Sequence, residues 1–543
     1  MSTADSQPAA VATTKTQPQP PAKYAPQPPP PLHGPWPAIT VFGRRWPGPG
    51  RPAAPTTVLA VLVAAIVAAL SIPLDRGGVG WLVAAVAGTI ALVAARVSPY
   101  RPPSTVSFPK LGPRVRRDEP ARFGWATATV LLLGVGTLRA ADWLVVLCLV
   151  TALLTGALAT AGGRSIRAMI TATLMAVASL ARGLPWIARG FGSIRRRGPG
   201  GRDGTRIAAT VAVSIALLVV FGSLFASADA AFADLLGRIV PDVNGESVGR
   251  WIFVFVVATA FLGGAAYLRA APPDLSGMDG HSGRRVTRSE WAIPLGLLVL
   301  LFAVFVAIQL TVLFGGSRHV LDTDGLTYAE YARGGFWQLL VVTGLTLLVL
   351  AGAARWAPRD TATDKVLIRV ILGLLAALTL VIVASALHRM DVYADTYGLT
   401  RLRILVALCE LWLGVTFLLV MISGIRLRAA WLPRAVVAAG VLALLGLAAL
   451  NPDAMIAERN VARFEQTNRI DTAYLSGLSA DAVPALRTLP QPERDCTLVR
   501  IDARLQADPD DWRGWSYGRE HARDLLRGSH PSYSPGCEPL NRD

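Results

Sequence analysis

Eleven segments of this chain are apolar over about 20 residues each, the length that an α-helix needs to cross a bilayer. The segments are approximately 57–74, 79–96, 123–138, 142–162, 206–227, 250–268, 291–314, 335–354, 366–387, 403–424 and 432–450. The fold predicted from this pattern is an all-α polytopic membrane protein with about 11 transmembrane helices. Composition agrees, because only 16% of the residues are charged whereas soluble domains average about a quarter.

A twelfth apolar stretch, 168–192, differs from the others. It contains Arg182, Gly183 and Pro185, and Arg189 follows near its end. Charges within the apolar part of a helix favour a position in the membrane interface over a crossing. We therefore predict an interfacial helix over about 168–192.

If the chain crosses the membrane eleven times, its positive charges are distributed unevenly between the two sides of the membrane. With the N-terminus inside, the cytoplasmic segments hold 32 of the 53 Lys and Arg residues and the short outer connections hold 9. Cytoplasmic loops are enriched in Lys and Arg, so the pattern predicts that the N-terminus is inside and the C-terminus outside. The basic inner face can contact anionic lipid headgroups. Nucleic-acid binding is not expected, since no basic domain or aromatic platform accompanies the charge.

The two ends of the chain differ in composition from the apolar region. Residues 1–56 hold 15 of the 38 prolines and are predicted to be a disordered cytoplasmic head. Residues 57–450 form the predicted transmembrane domain, and 451–543 are expected to be a small extracytoplasmic helical tail. Cys496 and Cys537 both fall in this tail, outside the cytoplasm, where disulfides persist. We predict that they are bonded to each other.

Two polar side chains lie within predicted spans and need a reason for being there. Glu410 lies roughly 10–14 Å inside the tenth span at 1.5 Å per residue, and Gln309 lies in the seventh. Ionisable groups within spans mark functional sites by default. The alternative is that both side chains hold helices together through hydrogen bonds.

The predicted outer connections carry a further set of polar residues, which we treat as a candidate outer vestibule. Its members are Asp229, Asp322, Glu330, Arg333, His388, Asp391 and Asp395. The alternative is a solvated interfacial cluster that has no common function. The spacing of His388, Asp391 and Asp395 on one side of a helix is a weak signal for a metal site, and no metal and no cofactor are predicted.

The sequence contains no standard catalytic constellation. The phosphate-loop, His-Glu-x2-His, Cys-x2-Cys and Gly-x-Ser-x-Gly patterns are all absent. No catalytic residues are therefore predicted, and the chain is interpreted as a non-enzyme, although a membrane enzyme acting at the outer face stays an alternative.

Five short motifs carry a resemblance to a known family. They are Phe221–Asp229, Ile308–Gly316, Leu326–Phe336, Tyr393–Arg403 and Asn451–Asn460. Together they resemble domain-of-unknown-function family 4173, a family of bacterial polytopic membrane proteins, over roughly residues 205–487. The resemblance implies an integral membrane protein, and it implies no established activity and no site residues.

Three function classes follow from these observations. The span number, Glu410 and the outer polar residues favour a transporter or channel-like protein. The head and tail favour instead a cell-surface sensor or scaffold. The third class is the outer-face enzyme. Among the 53 basic residues only four are Lys, and this bias with the abundant Ala, Gly and Pro indicates a bacterial genome, so the expected location is the bacterial plasma membrane. Substrate, oligomeric state and protein partners do not follow from the sequence.

Overall fold

A computed structural model describes residues 46, 48–97, 119–196, 221, 225, 229, 245–273, 275, 287–314, 328–358, 360–426, 429–528 and 531. The predicted head, apart from its last residues, and the predicted span 206–227, apart from two single residues, lie outside this part of the chain. The described residues form helices and contain no β-strand. The chain is thus an all-α polytopic membrane protein, which confirms the predicted fold class.

Among the described residues, eleven long helices, α1–α11, precede the tail. Their bounds are Pro55–Ser71 (α1), Val79–Val97 (α2), Glu119–Leu138 (α3), Asp142–Ala161 (α4), Ile166–Arg196 (α5), Gly245–Ala270 (α6), Arg288–Phe314 (α7), Tyr328–Trp356 (α8), Ala362–Tyr397 (α9), Arg401–Arg426 (α10) and Leu432–Leu450 (α11). Within the described residues nine of them, α3 to α11, are long and apolar enough to cross a membrane, and α1 and α2 are shorter apolar helices.

These helices correspond to ten of the eleven predicted spans and to the predicted interfacial helix. The latter is α5, which continues through Pro185 and contains a 26-residue section that is apolar enough to cross by composition. The number of crossings and their orientation therefore stay predictions.

The long helices form two lobes. The first lobe contains α1–α6 and the second contains α7–α10, each with its own apolar core. Helix α11 packs against α10 of the second lobe and against α3 and α4 of the first. The second core lies between α7, α8, α9 and α10, where Leu375, Ala376 and Phe417 are fully buried.

The tail forms a group of shorter helices after α11. These are Pro452–Thr467 (α12), Thr472–Ser476 (α13), Val483–Leu486 (α14), Glu493–Ala507 (α15) and Tyr517–Leu526 (α16), with a 3-10 turn at Ala480–Ala482. Asn451, in the left-handed conformation with a φ of 54°, separates α11 from α12. The apolar side chains of the tail join the core of the first lobe.

The tail lies on one face of the bundle, which we call the tail face. The turns 72–78, 139–141 and 398–400 are at this face, since each contacts the tail: Val79 N–H donates to the Trp515 carbonyl (3.0 Å), Ala140 N–H to Asp481 (2.7 Å) and Arg401 N–H to the Tyr474 hydroxyl (2.8 Å). The opposite face holds the start of α1 and of α11 and the ends of α4 and α6. We call it the N-terminal face.

Candidate functional site

Glu410 lies inside the second lobe. Its side chain is 1% exposed, and neither carboxylate oxygen has a hydrogen-bond partner among the described residues. It shares one side of α10 with the buried residues Val406, Leu413 and Phe417, four residues before it and three and seven after it, which is the helical spacing of a single face. The sequence pattern therefore directs this carboxylate into the lobe.

Helix α9 packs against α10 at this level. A side chain at Gly414 would touch Val383, and the two helices are antiparallel because a short turn joins them. Glu410, one turn before Gly414, consequently lies level with the turn of α9 that follows Val383 and includes Ser385.

Gln309, the second predicted intramembrane residue, makes a bond between helices. Its side-chain oxygen accepts a hydrogen bond from Arg389 Nη2 at 2.6 Å, and the Ser385 hydroxyl lies 3.5 Å from the same oxygen. Arg389 and Ser385 belong to α9, whereas Gln309 belongs to α7. This geometry fits the packing interpretation of Gln309, and it places an arginine and an amide in the same half of the lobe as Glu410.

The structure brings two of the predicted vestibule residues together. Asp391 and Asp395, one turn apart near the end of α9, both lie close to Arg459 of α12, at 3.1 and 3.7 Å. His388 is exposed one turn earlier, and Asp229, whose neighbours in the sequence lie outside the described residues, is also exposed. Asp322 and the side chains of Glu330 and Arg333 lie outside the described residues. Convergence of the whole set therefore stays a prediction.

A buried ion pair at the tail face was not predicted from the sequence. Asp453, at the start of α12, accepts hydrogen bonds from Arg401 Nε and Nη2 (3.0 and 2.6 Å), Trp143 Nε1 (3.1 Å) and Ser479 N–H (2.8 Å). Burial alone would raise the pKa of Asp453, but the bonds and charge of Arg401 together with the Ser479 amide lower it below its usual value. Asp453 is thus held as a carboxylate that joins α4, α10 and the tail.

Asp481 occupies the same face with a different environment. Its Oδ2 accepts a hydrogen bond from Ala140 N–H at 2.7 Å, and its Oδ1 has no partner within the described chain. Burial raises the pKa of Asp481 to about 6, even though the Ala140 bond and Arg139 act in the opposite direction. A side chain at position 518 would collide with Oδ1, so Gly518 is required where α16 begins.

A third buried carboxylate, Asp510, is surrounded by arginines. Arg76 of the α1–α2 turn, Arg519 and Arg523 donate to it at 3.0, 2.9 and 2.8 Å. Burial would raise the pKa of Asp510, but these three guanidinium groups lower it. The tail is therefore attached to the first lobe by Asp481 and Asp510 and to both lobes by Asp453.

The cysteines divide into two groups. Cys148 and Cys409 are free thiols within helices, whereas Cys496 of α15 is disulfide-bonded. Its predicted partner, Cys537, lies outside the described residues, so the pairing itself stays a prediction. No group of three His, Cys, Asp or Glu side chains that could hold a metal ion occurs in the described part of the chain.

Comparisons with known proteins give a family and no activity. No curated protein and no solved structure matches the chain. One family of unknown function matches residues 127–489, which is more than half of the 543-residue chain and extends further toward the N-terminus than the resemblance at 205–487. The number 4173 that the motifs suggested is corrected by this match. The chain belongs to the family described as Domain of unknown function (DUF4153).

Proposed function

We propose that this integral membrane protein is a transporter or channel-like protein in which Glu410 binds a proton or a cation. The observation that carries the proposal is the burial of both carboxylate oxygens of Glu410 with no partner among the described residues. An unpaired carboxylate in a low-dielectric site costs several kcal/mol. Such a carboxylate is therefore favoured to hold a bound proton or a cation, and exchange of either would move charge within the membrane.

The surrounding polar groups support this proposal. Gln309, Ser385 and Arg389 form a polar group on α7 and α9 in the half of the second lobe that is nearer the tail face. Ionisable residues inside membranes cluster along ion pathways and proton relays. In this proposal an ion reaches Glu410 from the tail face, past the outer ends of α7 and α9. The protein would reside in the bacterial plasma membrane with its N-terminus in the cytoplasm.

Replacement of Glu410 by Gln tests the proposal, because Gln keeps the shape and removes the charge. Purified wild-type and Glu410→Gln proteins would be placed in proteoliposomes, and flux of protons, Na⁺ and K⁺ would be measured with imposed gradients. We expect flux in the wild type, loss of at least tenfold in the Gln variant, and normal purification of both. The matched control is Thr416→Val, which alters another buried polar group of the same helix and should leave flux unchanged. Equal flux in wild type and Glu410→Gln would contradict the proposal.

A second candidate function is a cell-surface sensor or scaffold without catalysis. The observation that favours it is the attachment of the tail to both lobes through Asp453, Arg401 and Trp143. A tail held in this way could report its own state to the membrane domain. If neither protons nor the two cations cross the membrane of wild-type proteoliposomes, the sensor or scaffold class accounts better for the contacts of Asp453. Glu410 is then interpreted as a helix-packing residue.

A further inference from the structure

Helix α5 presents an apolar stripe that the described part of the molecule leaves exposed. The side chains that form the stripe recur every three or four residues from Ile166 to Val177, and two more follow at intervals of seven residues, which is two helical turns. They are Ile166, Ile170, Leu174, Val177, Leu184 and Phe191. The opposite side of α5 is buried and carries small residues such as Ala168, Ala172 and Gly183. An apolar stripe on a helix that packs through small residues suits contact with lipid.

The beginning of α5 lies at the N-terminal face. Helix α4 starts at the turn 139–141 on the tail face, so its end at Ala161 lies at the opposite face. The Ala161 carbonyl accepts a hydrogen bond from Arg122, near the start of α3, at 3.3 Å, and the Gly163 carbonyl accepts one from Arg434, near the start of α11, at 2.8 Å. Both arginines belong to helix ends far from the tail.

The last described third of α5 lies at the same face. Trp186 Nε1 donates to the Arg51 carbonyl at 2.9 Å, and Arg182 donates to the Trp46 carbonyl at 3.0 Å. These acceptors precede α1, which ends at the tail face. The Trp46 indole in turn donates to the Ala271 carbonyl just beyond the end of α6.

A straight helix cannot cross a membrane if both of its ends contact the same face. Positions 166 and 190 are about 36 Å apart at 1.5 Å per residue, and in between α5 packs on α4, α6 and α1. We infer that α5 lies in the plane of the leaflet at the N-terminal face and binds its lipids. The apolar stripe contacts acyl chains, while the exposed Arg167 and Arg189 bind the phosphate groups of anionic phospholipids.

The positions of the neighbouring helices agree with this arrangement. Burial raises the pKa of Asp75 in the α1–α2 turn, and the hydrogen bond of Arg76 and, to a smaller extent, the charge of Arg250 lower it. Arg250 is near the start of α6, so α6 begins near the tail face. The chain leaves α5 at one face and enters α6 from the other. The chain must therefore cross the membrane once between α5 and α6. The predicted span 206–227 lies in this interval, outside the described residues.

Depth measurements on the full-length protein distinguish an in-plane helix from a crossing one. Single cysteines at the six stripe positions, in a Cys148→Ala, Cys409→Ala background that keeps the tail cysteines, would carry nitroxide labels in liposomes. Accessibility to oxygen and to a water-soluble relaxation agent then gives the depth of each label. We expect all six labels at one depth, within about one helix turn of each other and below the headgroups. Labels at Ile252, Val256 and Phe261 of α6, all exposed, serve as the control and should change depth steadily.

Two results would overturn the inference. A crossing helix would place Val177 near the bilayer centre and positions 166 and 191 near the two surfaces. A helix covered by protein would leave the stripe labels inaccessible to both relaxation agents.

The headgroup contact has its own test. The double variant Arg167→Gln, Arg189→Gln should bind anionic phosphatidylglycerol more weakly than the wild type, by about fivefold for each arginine. The measurement is the number of retained lipids by native mass spectrometry over a series of phosphatidylglycerol fractions. Arg527→Gln, an exposed arginine of the tail, is the control and should bind as the wild type does. Equal lipid retention in the double variant and the wild type would overturn the headgroup assignment.

Discussion

Buried carboxylates in this protein are stabilised in different ways at the scale of single residues. Asp453 is paired with Arg401 and accepts two further hydrogen bonds, so it stays charged. Asp481 accepts a close hydrogen bond from the Ala140 amide and a longer one, 3.4 Å, from the Ser479 hydroxyl, and burial raises its pKa to about 6. Asp453 therefore stabilises the docked tail in its ionised form, whereas the environment of Asp481 in the docked tail favours the protonated form.

The stability of the docked tail should consequently depend on pH. An acid whose pKa is raised by docking binds a proton more tightly in the docked state, so docking is favoured as the pH falls through about 6 and weakened as the pH rises. The change from 3.8 to about 6 corresponds to at most about 3 kcal/mol, gained as the pH falls from about 6 to 3.8, and about 1.4 kcal/mol of it falls between pH 8 and 5. Asp481→Asn should remove this dependence and make the docked tail more stable at pH 8. Hydrogen exchange of the peptides around Ala140 and Asp481 measures this pH dependence. The exchange is followed between pH 5 and 8 and corrected for the intrinsic exchange rate at each pH.

Asp453 is the carboxylate whose charge acts on Asp481. Its pKa is lowered, so it stays ionised throughout this pH range. Tail protection that decreases as the pH falls from 8 to 5, or an Asp481→Asn variant that is less protected at pH 8, would contradict the assignment.

Sequence reasoning identified the intramembrane residues of the candidate site but not the residues at the tail face. Glu410 was found because a charge inside an apolar segment is visible in the sequence. The pair Arg401–Asp453 was not found, because its members are separated by 52 positions and each looks like an ordinary charge at a helix end. The one available signal was Asn451–Asn460, which contributed to the family resemblance and contains Asp453.

At the scale of elements, helices α5 and α6 pack with their backbones close together. A side chain at Gly183 would lie 2.6 Å from the backbone nitrogen of Gly264, so both positions use the small size of glycine. Close approach of backbones at small residues is a common way for membrane helices to associate.

Substitution Gly183→Ala should therefore destabilise the first lobe. The added Cβ would force the helices apart, and overpacking of this kind costs about 1–3 kcal/mol. The thermal unfolding temperature of the detergent-solubilised protein measures the effect. Gly249→Ala in α6 is the matched control, since a Cβ there meets nothing within 4 Å, and it should leave the unfolding temperature unchanged or raise it. An equal response of the two variants would show that the close contact does not matter.

Helix positions were predictable because hydropathy reports length and composition directly. The predicted segment 142–162 corresponds to α4 at Asp142–Ala161, and 432–450 corresponds to α11 at Leu432–Leu450. The orientation of α5 is a different matter, because its apolar section would also allow a crossing. Whether such a helix crosses depends on which face its two ends contact, and that is a tertiary property.

At the scale of the whole molecule, the charge bias predicts which side of the membrane each face occupies. Single cysteines at the exposed Glu465 of α12 and the exposed Ser289 of α7 would report on the tail face and the N-terminal face, in the background that lacks Cys148 and Cys409. A membrane-impermeant maleimide applied to intact cells should modify the Glu465→Cys protein only. The Ser289→Cys protein should react after permeabilisation, which is also the control for its reactivity. Labelling of Ser289→Cys in intact cells would reverse the predicted orientation.

The two lobes are joined both at the tail face and along α11 in the part of the chain that the structure describes. Arg401 of the second lobe and Ala140 of the first are both fastened to the tail, and Arg139 is bonded to the end of α11 at Ala448. Helix α11 also bridges the lobes toward the N-terminal face, since Trp412 of α10 donates to the Val436 carbonyl and Arg434 to the Gly163 carbonyl. Any rocking of the lobes should thus have its smallest amplitude beside Asp453 and α11, and its largest in the parts of the two lobes that are farthest from both.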